Sequence, residues 1–154
     1  MRIAFAADHG GAALKDELLV RLRTEAGAAE LIDLGGDGSD PTDDYPDFAV
    51  RIGRAIQAGT ADRGVLVCGS GVGASVAACK MTGIRASVCH DSYSAHQGVE
   101  HDDMNVLCLG SEIVGPSLVA ELVTGFLNAT FNGGDRYVAR LVKVAAMERE
   151  MKDG

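Results

Sequence analysis

Short apolar segments alternate with amphipathic segments along this chain. Apolar runs without polar alternation are typical of strands buried on both faces of a sheet. Five such strands are predicted, at Arg2 to Ala7, Glu30 to Leu34, Val65 to Val67, Ile84 to Cys89 and Asn105 to Leu109. Helices are predicted between and after them, at Gly10 to about Arg23, Pro46 to about Ala58, Ala74 to Met81, Ser92 to about Glu100, Gly115 to about Thr130 and about Asp135 to Met151.

This alternation predicts an α/β fold, a three-layer α/β/α sandwich with a five-stranded parallel Rossmann-like sheet. The 154 residues fit one domain covering positions 1–154. Ligands of such sheets bind beyond the carboxyl ends of the strands, where the strand order switches. Asp8 and His9 follow the first strand and Cys68 ends the third. If these two strands are neighbours, their loops face one crevice.

Cys68 opens a glycine-rich stretch between the third strand and the following helix. Gly69, Gly71 and Gly73 allow a tight turn and a close approach of a ligand to the backbone. Free N–H groups at the helix start favour an anion, and a thiol placed there has more thiolate character. A thiolate beside an anion hole suggests proton abstraction next to a carbonyl. The alternative is a structural cysteine in an ordinary strand–helix turn.

Charge and cysteine content restrict the possible partners. A net charge of -8 argues against nucleic acid and anionic membrane surfaces, but a local Arg cluster can still hold a small phosphorylated substrate. No segment approaches the ~20 apolar residues of a membrane span, and the N-terminal apolar run is too short for a signal peptide. The cysteines at 68, 79, 89 and 108 form no C-x-x-C motif, so we expect a reduced cytoplasmic protein.

Other polar groups have both a chemical and a structural interpretation. His9 is an acid–base candidate or a cap, and His101 stands either beside useful carboxylates or in a solvated turn. Arg136 and Arg140, four apart on a helix, grip a phosphate or only face solvent. A divalent metal among Asp8, His9, His101, Asp102 and Asp103, as in a metal-dependent hydrolase, lacks a ligand-spacing motif.

The glycine-rich stretch also fits a dinucleotide-binding fingerprint. Gly69, Gly71 and Ala74 have the required spacing, and Asp91 follows a strand about 20 residues later. Only one further predicted strand follows Asp91, which leaves no room for a second nucleotide-binding half. A nucleotide-binding module therefore remains the alternative from a different functional class.

Taken in order, the motifs resemble those of one family. They are Asp8-His9, Tyr45-Pro46, Cys68-Gly-Ser-Gly-Val-Gly, Gly83-Ile84-Arg85-Ala86, His101, Asn105-Val106 and Arg136-x-x-x-Arg140. The chain resembles the group of type B ribose-5-phosphate and galactose-6-phosphate isomerases over nearly its whole length. The resemblance implies an aldose–ketose isomerase without metal or cofactor, most simply for ribose 5-phosphate and ribulose 5-phosphate, by proton transfer through an enediolate. A tetrose or hexose phosphate is the alternative substrate.

The resemblance also implies roles for individual residues. Cys68 would be the base, Ser70 would exchange protons between the sugar oxygens, and His101, with Asp8 nearby, would open the ring. The anion hole and sugar contacts would come from Gly69, Gly71, Val72, Gly73, Ala74, Tyr45 and Asp102. The phosphate would be held by His9, Arg136 and Arg140. The two arginines would reach over from a second subunit on the C-terminal helix, about residues 135–151, in a homodimer or a dimer of dimers.

Two positions depart from the family pattern. Asp102 stands where Asn is expected after the ring-opening His, and Glu112 stands where Arg is expected in Gly110-Ser111-Glu112. Both changes add negative charge near the expected place of an anionic substrate. They leave the isomerase chemistry intact and put the identity of the substrate in question.

Overall fold

The computed structural model describes residues 1–25 and 29–153. The strands are β1 (Arg2–Ala7), β2 (Glu30–Asp33), β3 (Arg63–Cys68), β4 (Ala86–Val88) and β5 (Val106–Gly110). The helices are α1 (Ala12–Glu25), α2 (Tyr45–Gln57), α3 (Val72–Ala78), α4 (Ser92–Asp102), α5 (Pro116–Asn128) and α6 (Asp135–Asp153). The strands form one parallel sheet in the order β2-β1-β3-β5-β4.

Helices cover both faces of the sheet, which confirms the predicted three-layer α/β/α architecture. Side chains alternate between the faces along each strand. From β1, Ile3 and Phe5 pack with residues of α1, α4 and α5, whereas Ala4 and Ala6 pack with residues of α2 and α3. The central strands β1, β3 and β5 are buried on both faces, so their sequences are almost uniformly apolar.

Some element boundaries differ from the prediction because tertiary contacts set them. Helix α3 begins at Val72 instead of Ala74, since Gly71 (φ 78°) forms its left-handed N-cap. Helix α4 continues to Asp102, two residues past the predicted end, and stops at Asp103 (φ 49°). His101 therefore lies in the last turn of a helix and not in a loop. Strand β4 shrinks to Ala86–Val88 at the edge of the sheet.

β1 and β3 are neighbours at the switch point of the sheet, which is the condition under which their loops were expected to face one crevice. The chain moves outward from β1 to β2, and then returns to β3 on the other side of β1. The two loops that follow are in close contact: a Cβ on Gly11 would lie 2.4 Å from the Val67 carbonyl oxygen. Only glycine permits this approach, which holds the loop after β1 against the end of β3.

Within the described part of the chain, none of the helices is both long and apolar enough to cross a membrane.

Candidate active site

Cys68 ends β3 and opens the loop of residues 68–74, called here the Cys68 loop. The side chain is buried, and its Sγ accepts a hydrogen bond from the Gly71 N–H at 3.1 Å. The turn requires glycine at position 71, because φ is 78° and a Cβ would lie 3.0 Å from the Leu109 carbonyl carbon. This hydrogen bond holds the Cys68 thiol in a fixed position at the end of β3, beside the other amides of the loop.

Two amides of the predicted anion hole have hydrogen-bond acceptors within the Cys68 loop. The Gly71 N–H is used by Cys68, and the Val72 N–H donates to Ser70 Oγ at 3.3 Å. Ser70 itself is exposed. The amides of Gly69, Ser70, Gly73 and Ala74 have no acceptor among the described residues. These four amides are the ones left for a ligand or a developing oxyanion.

Tyr45, the first residue of α2, lies on the Cys68 loop. A Cβ on Gly73 would be 2.7 Å from Tyr45 Cζ and 2.9 Å from Cε1. The absence of a side chain at Gly73 is thus what lets the tyrosine ring pack here. Tyr45 remains 37% exposed, so the ring walls the loop without closing it.

The loop of residues 8–11, called here the Asp8 loop, contacts the Cys68 loop. The Asp8 carboxylate is buried and accepts a hydrogen bond from the Gly11 N–H at 3.0 Å. Burial raises the pKa of Asp8, and the Gly11 hydrogen bond partly opposes this. A Cβ on Gly10 would be 3.4 Å from Asp8 Oδ1 and 3.5 Å from the Gly69 nitrogen. A buried carboxyl group with a raised pKa therefore lies close to the candidate base.

His9 is held by a residue that the sequence analysis missed, Asp43. The His9 backbone N–H donates to Asp43 Oδ1 at 2.7 Å, and His9 Nδ1 is 2.8 Å from the same oxygen. This hydrogen bond raises the pKa of the His9 imidazole. Asp43 belongs to an acid-rich loop, and nothing in its sequence context distinguishes it from Asp37, Asp40 or Asp44.

A second cluster, called here the His101 cluster, forms where α4 meets α6. His101 Nδ1 is 2.6 Å from Gln97 Nε2, and the Tyr137 ring stacks on the imidazole with centroids 4.6 Å apart. Neither Gln97 nor Tyr137 was predicted from the sequence as a site residue. The i−4 spacing of Gln97 from His101 was an available signal for the first. Arg136 and Arg140 are exposed on the same end of α6, beside Tyr137.

The Cys68 loop and the His101 cluster lie at opposite ends of the strands, the first at the carboxyl ends and the second toward the amino ends. Cys68 pairs with Gly110 at the end of β5, whereas His101 leads through a short turn into Val106 at its start. The four residue steps of β5 alone span about 13 Å at roughly 3.3 Å each. Within one chain the structure does not bring His101 and Asp8 together, because α4 runs antiparallel to the strands and ends toward their amino ends; the joint role of the two residues stays a prediction.

The two departures from the family pattern are separated in the same way. Asp102 is exposed beside His101, toward the amino ends of the strands. The Glu112 N–H donates to the Gly69 carbonyl at 3.0 Å, and its Oε1 is 3.5 Å from the position a Gly69 Cβ would take. Glu112 therefore places a carboxylate directly beside the Cys68 loop.

The structure disfavours both rival interpretations. The Asp91 side chain caps α4 by accepting from the Ser94 N–H at 2.7 Å. It also follows β4, which is separated from β3 by β5, so it cannot serve a dinucleotide on the Cys68 loop. The proposed metal ligands are divided between the two ends of the strands, with Asp8 and His9 at one and His101 and Asp102 at the other. In residues 1–25 and 29–153 no group of three or more candidate metal ligands comes together.

A cleft of about 700 Å³ lies along the outer edge of β4, away from the Cys68 loop. Its walls include Arg85, Val88 and Asp102, and α6 covers it with Val144 and Glu148. The chemistry of the Cys68 loop, not the size of this cleft, identifies the candidate active site.

Comparison with known proteins gives one consistent family. The Ribose/Galactose Isomerase family profile matches residues 3–144. Ribose-5-phosphate isomerase B of Escherichia coli is 43% identical over 148 residues, covering 96% of this chain and 97% of the relative. D-erythrulose-4-phosphate isomerase of Pectobacterium atrosepticum is 33% identical over 152 residues, covering 99% and 98%. The structure of ribose-5-phosphate isomerase B from Mycoplasma genitalium with bound ribulose 5-phosphate superposes with a TM-score of 0.89 at 37% identity, covering 97% of each chain.

Proposed function

The chain belongs to the ribose/galactose isomerase family, and from this premise we propose that it interconverts ribose 5-phosphate and ribulose 5-phosphate. The observation that carries the proposal is the Cys68 thiol, fixed by the Gly71 amide at the switch point of the sheet. Unused amides of the same loop lie next to it, and a histidine paired with a carboxylate lies on the adjoining loop. Together these groups supply a base, an anion hole and a cation for a phosphate.

The reaction moves one proton between carbons and one between oxygens. The Cys68 thiolate takes the proton from C2 of the open-chain aldose, and negative charge develops on O1. The amides of Gly73 and Ala74 stabilise this enediolate oxygen. Ser70, exposed at the loop, relays the O2 proton to O1, and the Cys68 thiol returns its proton to C1 to give the ketose. Asp8 contributes a carboxyl group beside the base.

We infer that a second copy of the chain completes the site. His101, with its Gln97 and Tyr137 partners, would open the sugar ring, and Arg136 and Arg140 would join His9 at the phosphate. Within one chain, His101 and the stacked Tyr137 lie toward the amino ends of the strands, whereas the Cys68 loop lies at their carboxyl ends. Exposed apolar side chains support a dimer surface: Val72 and Val76 on α3, each 56% exposed, Tyr93 on α4 at 74%, and Val142 and Met147 on α6 at 59% and 63%. Helix α6 would extend to the partner subunit. Asp102 of one subunit would approach the sugar bound at the Cys68 loop of the other.

A shorter sugar phosphate is the second candidate substrate. A relative of similar coverage is a D-erythrulose-4-phosphate isomerase, and Glu112 places negative charge beside the loop that binds the substrate.

The four cysteines are free thiols, and we place the enzyme in the reducing cytoplasm.

A panel of aldose phosphates tests the proposal. Purified protein is incubated with ribose 5-phosphate, erythrose 4-phosphate and a hexose 6-phosphate, and ketose formation is measured in water and in D₂O. We expect ketose from ribose 5-phosphate, with solvent deuterium entering C1, and a loss of at least ~10²-fold in Cys68→Ala. Turnover of the tetrose or hexose phosphate alone would change the substrate. No turnover of any aldose phosphate, or full activity in Cys68→Ala, would overturn the proposed function.

A further inference from the structure

The His9–Asp43 pair determines which nitrogen of the imidazole carries a hydrogen. His9 Nδ1 is 2.8 Å from Asp43 Oδ1 and 3.2 Å from the Asp43 carbonyl oxygen. Both partners are acceptors, since a carboxylate and a carbonyl have no hydrogen to donate. The Nδ1 atom must therefore be the protonated one in every charge state of the ring.

The consequence falls on the other nitrogen, Nε2. Among the side chains that the structure describes, His9 Nε2 has no hydrogen-bond partner, and 43% of the side chain is exposed. In the neutral ring, Nε2 presents a lone pair, which repels a phosphate oxygen. Only the imidazolium presents an N–H there. While Asp43 holds Nδ1, His9 can bind an anion only as a cation.

The charges around His9 favour that cation. Asp43, which is only 17% exposed, contributes most through its hydrogen bond, and the carboxylate of Asp8 adds to it through space. Asp40, on the same loop as Asp43, makes no hydrogen bond to His9 but interacts with its charge through space. Among the described residues, the charged groups that interact with His9 are thus acidic, and they raise the pKa of the ring.

We propose that Asp43 is a positioning residue that commits His9 to an imidazolium with Nε2–H as its single free donor, and thereby makes His9 a cationic receptor for the substrate phosphate. The proposal deepens the proposed function and depends on it, because it assigns the phosphate of that same reaction to a two-residue device. Asp43 acts through His9, because its Oδ1 accepts from the His9 backbone N–H and is paired with His9 Nδ1.

The first test observes the tautomer in the unmodified protein. Two-dimensional ¹H–¹⁵N NMR of the histidine rings separates Nδ1–H from Nε2–H tautomers and follows their titration. We expect neutral His9 as the Nδ1–H tautomer, and in Asp43→Asn a His9 that titrates at lower pH. Titration with inorganic phosphate should perturb His9 Nε2 below its pKa and not above it. Predominant Nε2–H tautomer in the unmodified protein, or phosphate binding that ignores the charge of His9, would overturn the proposal.

The second test separates positioning from scaffolding. Asp43→Asn keeps an oxygen for the His9 backbone N–H but removes the charge. We expect KM to rise about tenfold at pH values between the His9 pKa of Asp43→Asn and that of the parent, where only the parent carries the cation, since a hydrogen bond to a charged group is stronger by about that factor; kcat should be nearly unchanged. The rise in KM with pH should also begin at lower pH than in the parent enzyme. Asp40→Asn, which removes an equal charge from the same loop but makes no hydrogen bond to His9, is the matched control and should shift the profile little.

The two tests distinguish failure of this inference from failure of the proposed function. An enzyme that isomerises the sugar phosphate, but whose KM profile is the same in Asp43→Asn and its parent, contradicts the role of Asp43 alone. An equal shift in Asp40→Asn would show general acidity of the loop instead of positioning, and would also contradict it. A protein without isomerase activity refutes the proposed function, while the tautomer and the phosphate titration still decide whether the His9–Asp43 receptor exists.

Discussion

Mixed dimers of two inactive variants would show whether the active site is shared between chains. Cys68→Ala removes the proposed base at the carboxyl ends of the strands, and His101→Asn removes the proposed ring-opening group near their amino ends. A proton-transfer group must come within about 3 Å of the atom that it protonates or deprotonates, whereas strand β5, about 13 Å long, lies between the ends of the sheet at which these two residues stand in one chain. Each variant alone lacks one of the two groups in every site, so we expect it to be nearly inactive.

Mixing the two variants should restore a defined fraction of the activity. In a 1:1 mixture with free exchange, half of the dimers are heterodimers. Each heterodimer has one site with both groups intact and one with neither. About a quarter of all sites are then complete, so about a quarter of the parental rate is expected for a two-fold symmetric dimer.

The assay needs a control in which both changes lie in the same loop. Cys68→Ala mixed with Ser70→Ala should recover no activity, because every site in that heterodimer lacks one of the two residues. Subunit exchange is verified by mass spectrometry with chains of different isotope labelling. No recovery in the Cys68→Ala and His101→Asn mixture after complete exchange would refute the shared site, and recovery in the control pair would refute the placement of Ser70.

Three further predictions concern single positions. Glu112→Arg should lower KM for ribose 5-phosphate by up to about tenfold, with kcat nearly unchanged, because it replaces a repulsive charge by an attractive one; an unchanged KM in steady-state kinetics would show that the carboxylate does not face the substrate. Gly73→Ala should lower the free energy of unfolding by about 1–3 kcal/mol, because the added methyl group clashes with Tyr45. In a Tyr45→Ala background the same change should instead stabilise α3 through helix propensity. An effect of the same sign in both backgrounds, measured by urea unfolding, would contradict the packing of Tyr45 on Gly73. Asp8→Asn should stabilise the protein at neutral pH. The folded pKa of Asp8 is raised, so stability falls as pH rises from below its ordinary pKa through the raised value; the gain in Tm should vanish in acid, and a loss of Tm at neutral pH would contradict it.

The local sequence pattern was sufficient to predict the fold class, the Cys68 loop and the placement of Asp8 and His9 beside it. Uniformly apolar strands separated by helical segments left a parallel sheet covered on both faces as the natural arrangement. The Cys68 loop was visible because glycine spacing between a strand and a helix is a local signal. The same holds for Asp8 and His9, since residues that follow strands of a parallel sheet lie at its carboxyl edge by geometry alone.

Only the tertiary structure decided which groups act together. Nothing near Asp43 in the sequence indicates a bond to His9, 34 residues away; that pairing exists because the loop before α2 folds over the end of β1. The adjacency of β1 and β3 was a condition in the sequence and became a fact only through sheet order. The separation of His101 from the Cys68 loop follows from the direction in which α4 crosses the sheet. Local backbone preferences act over a few residues, whereas these contacts depend on how the helices pack on the two faces, and that packing is not contained in any single stretch of the chain.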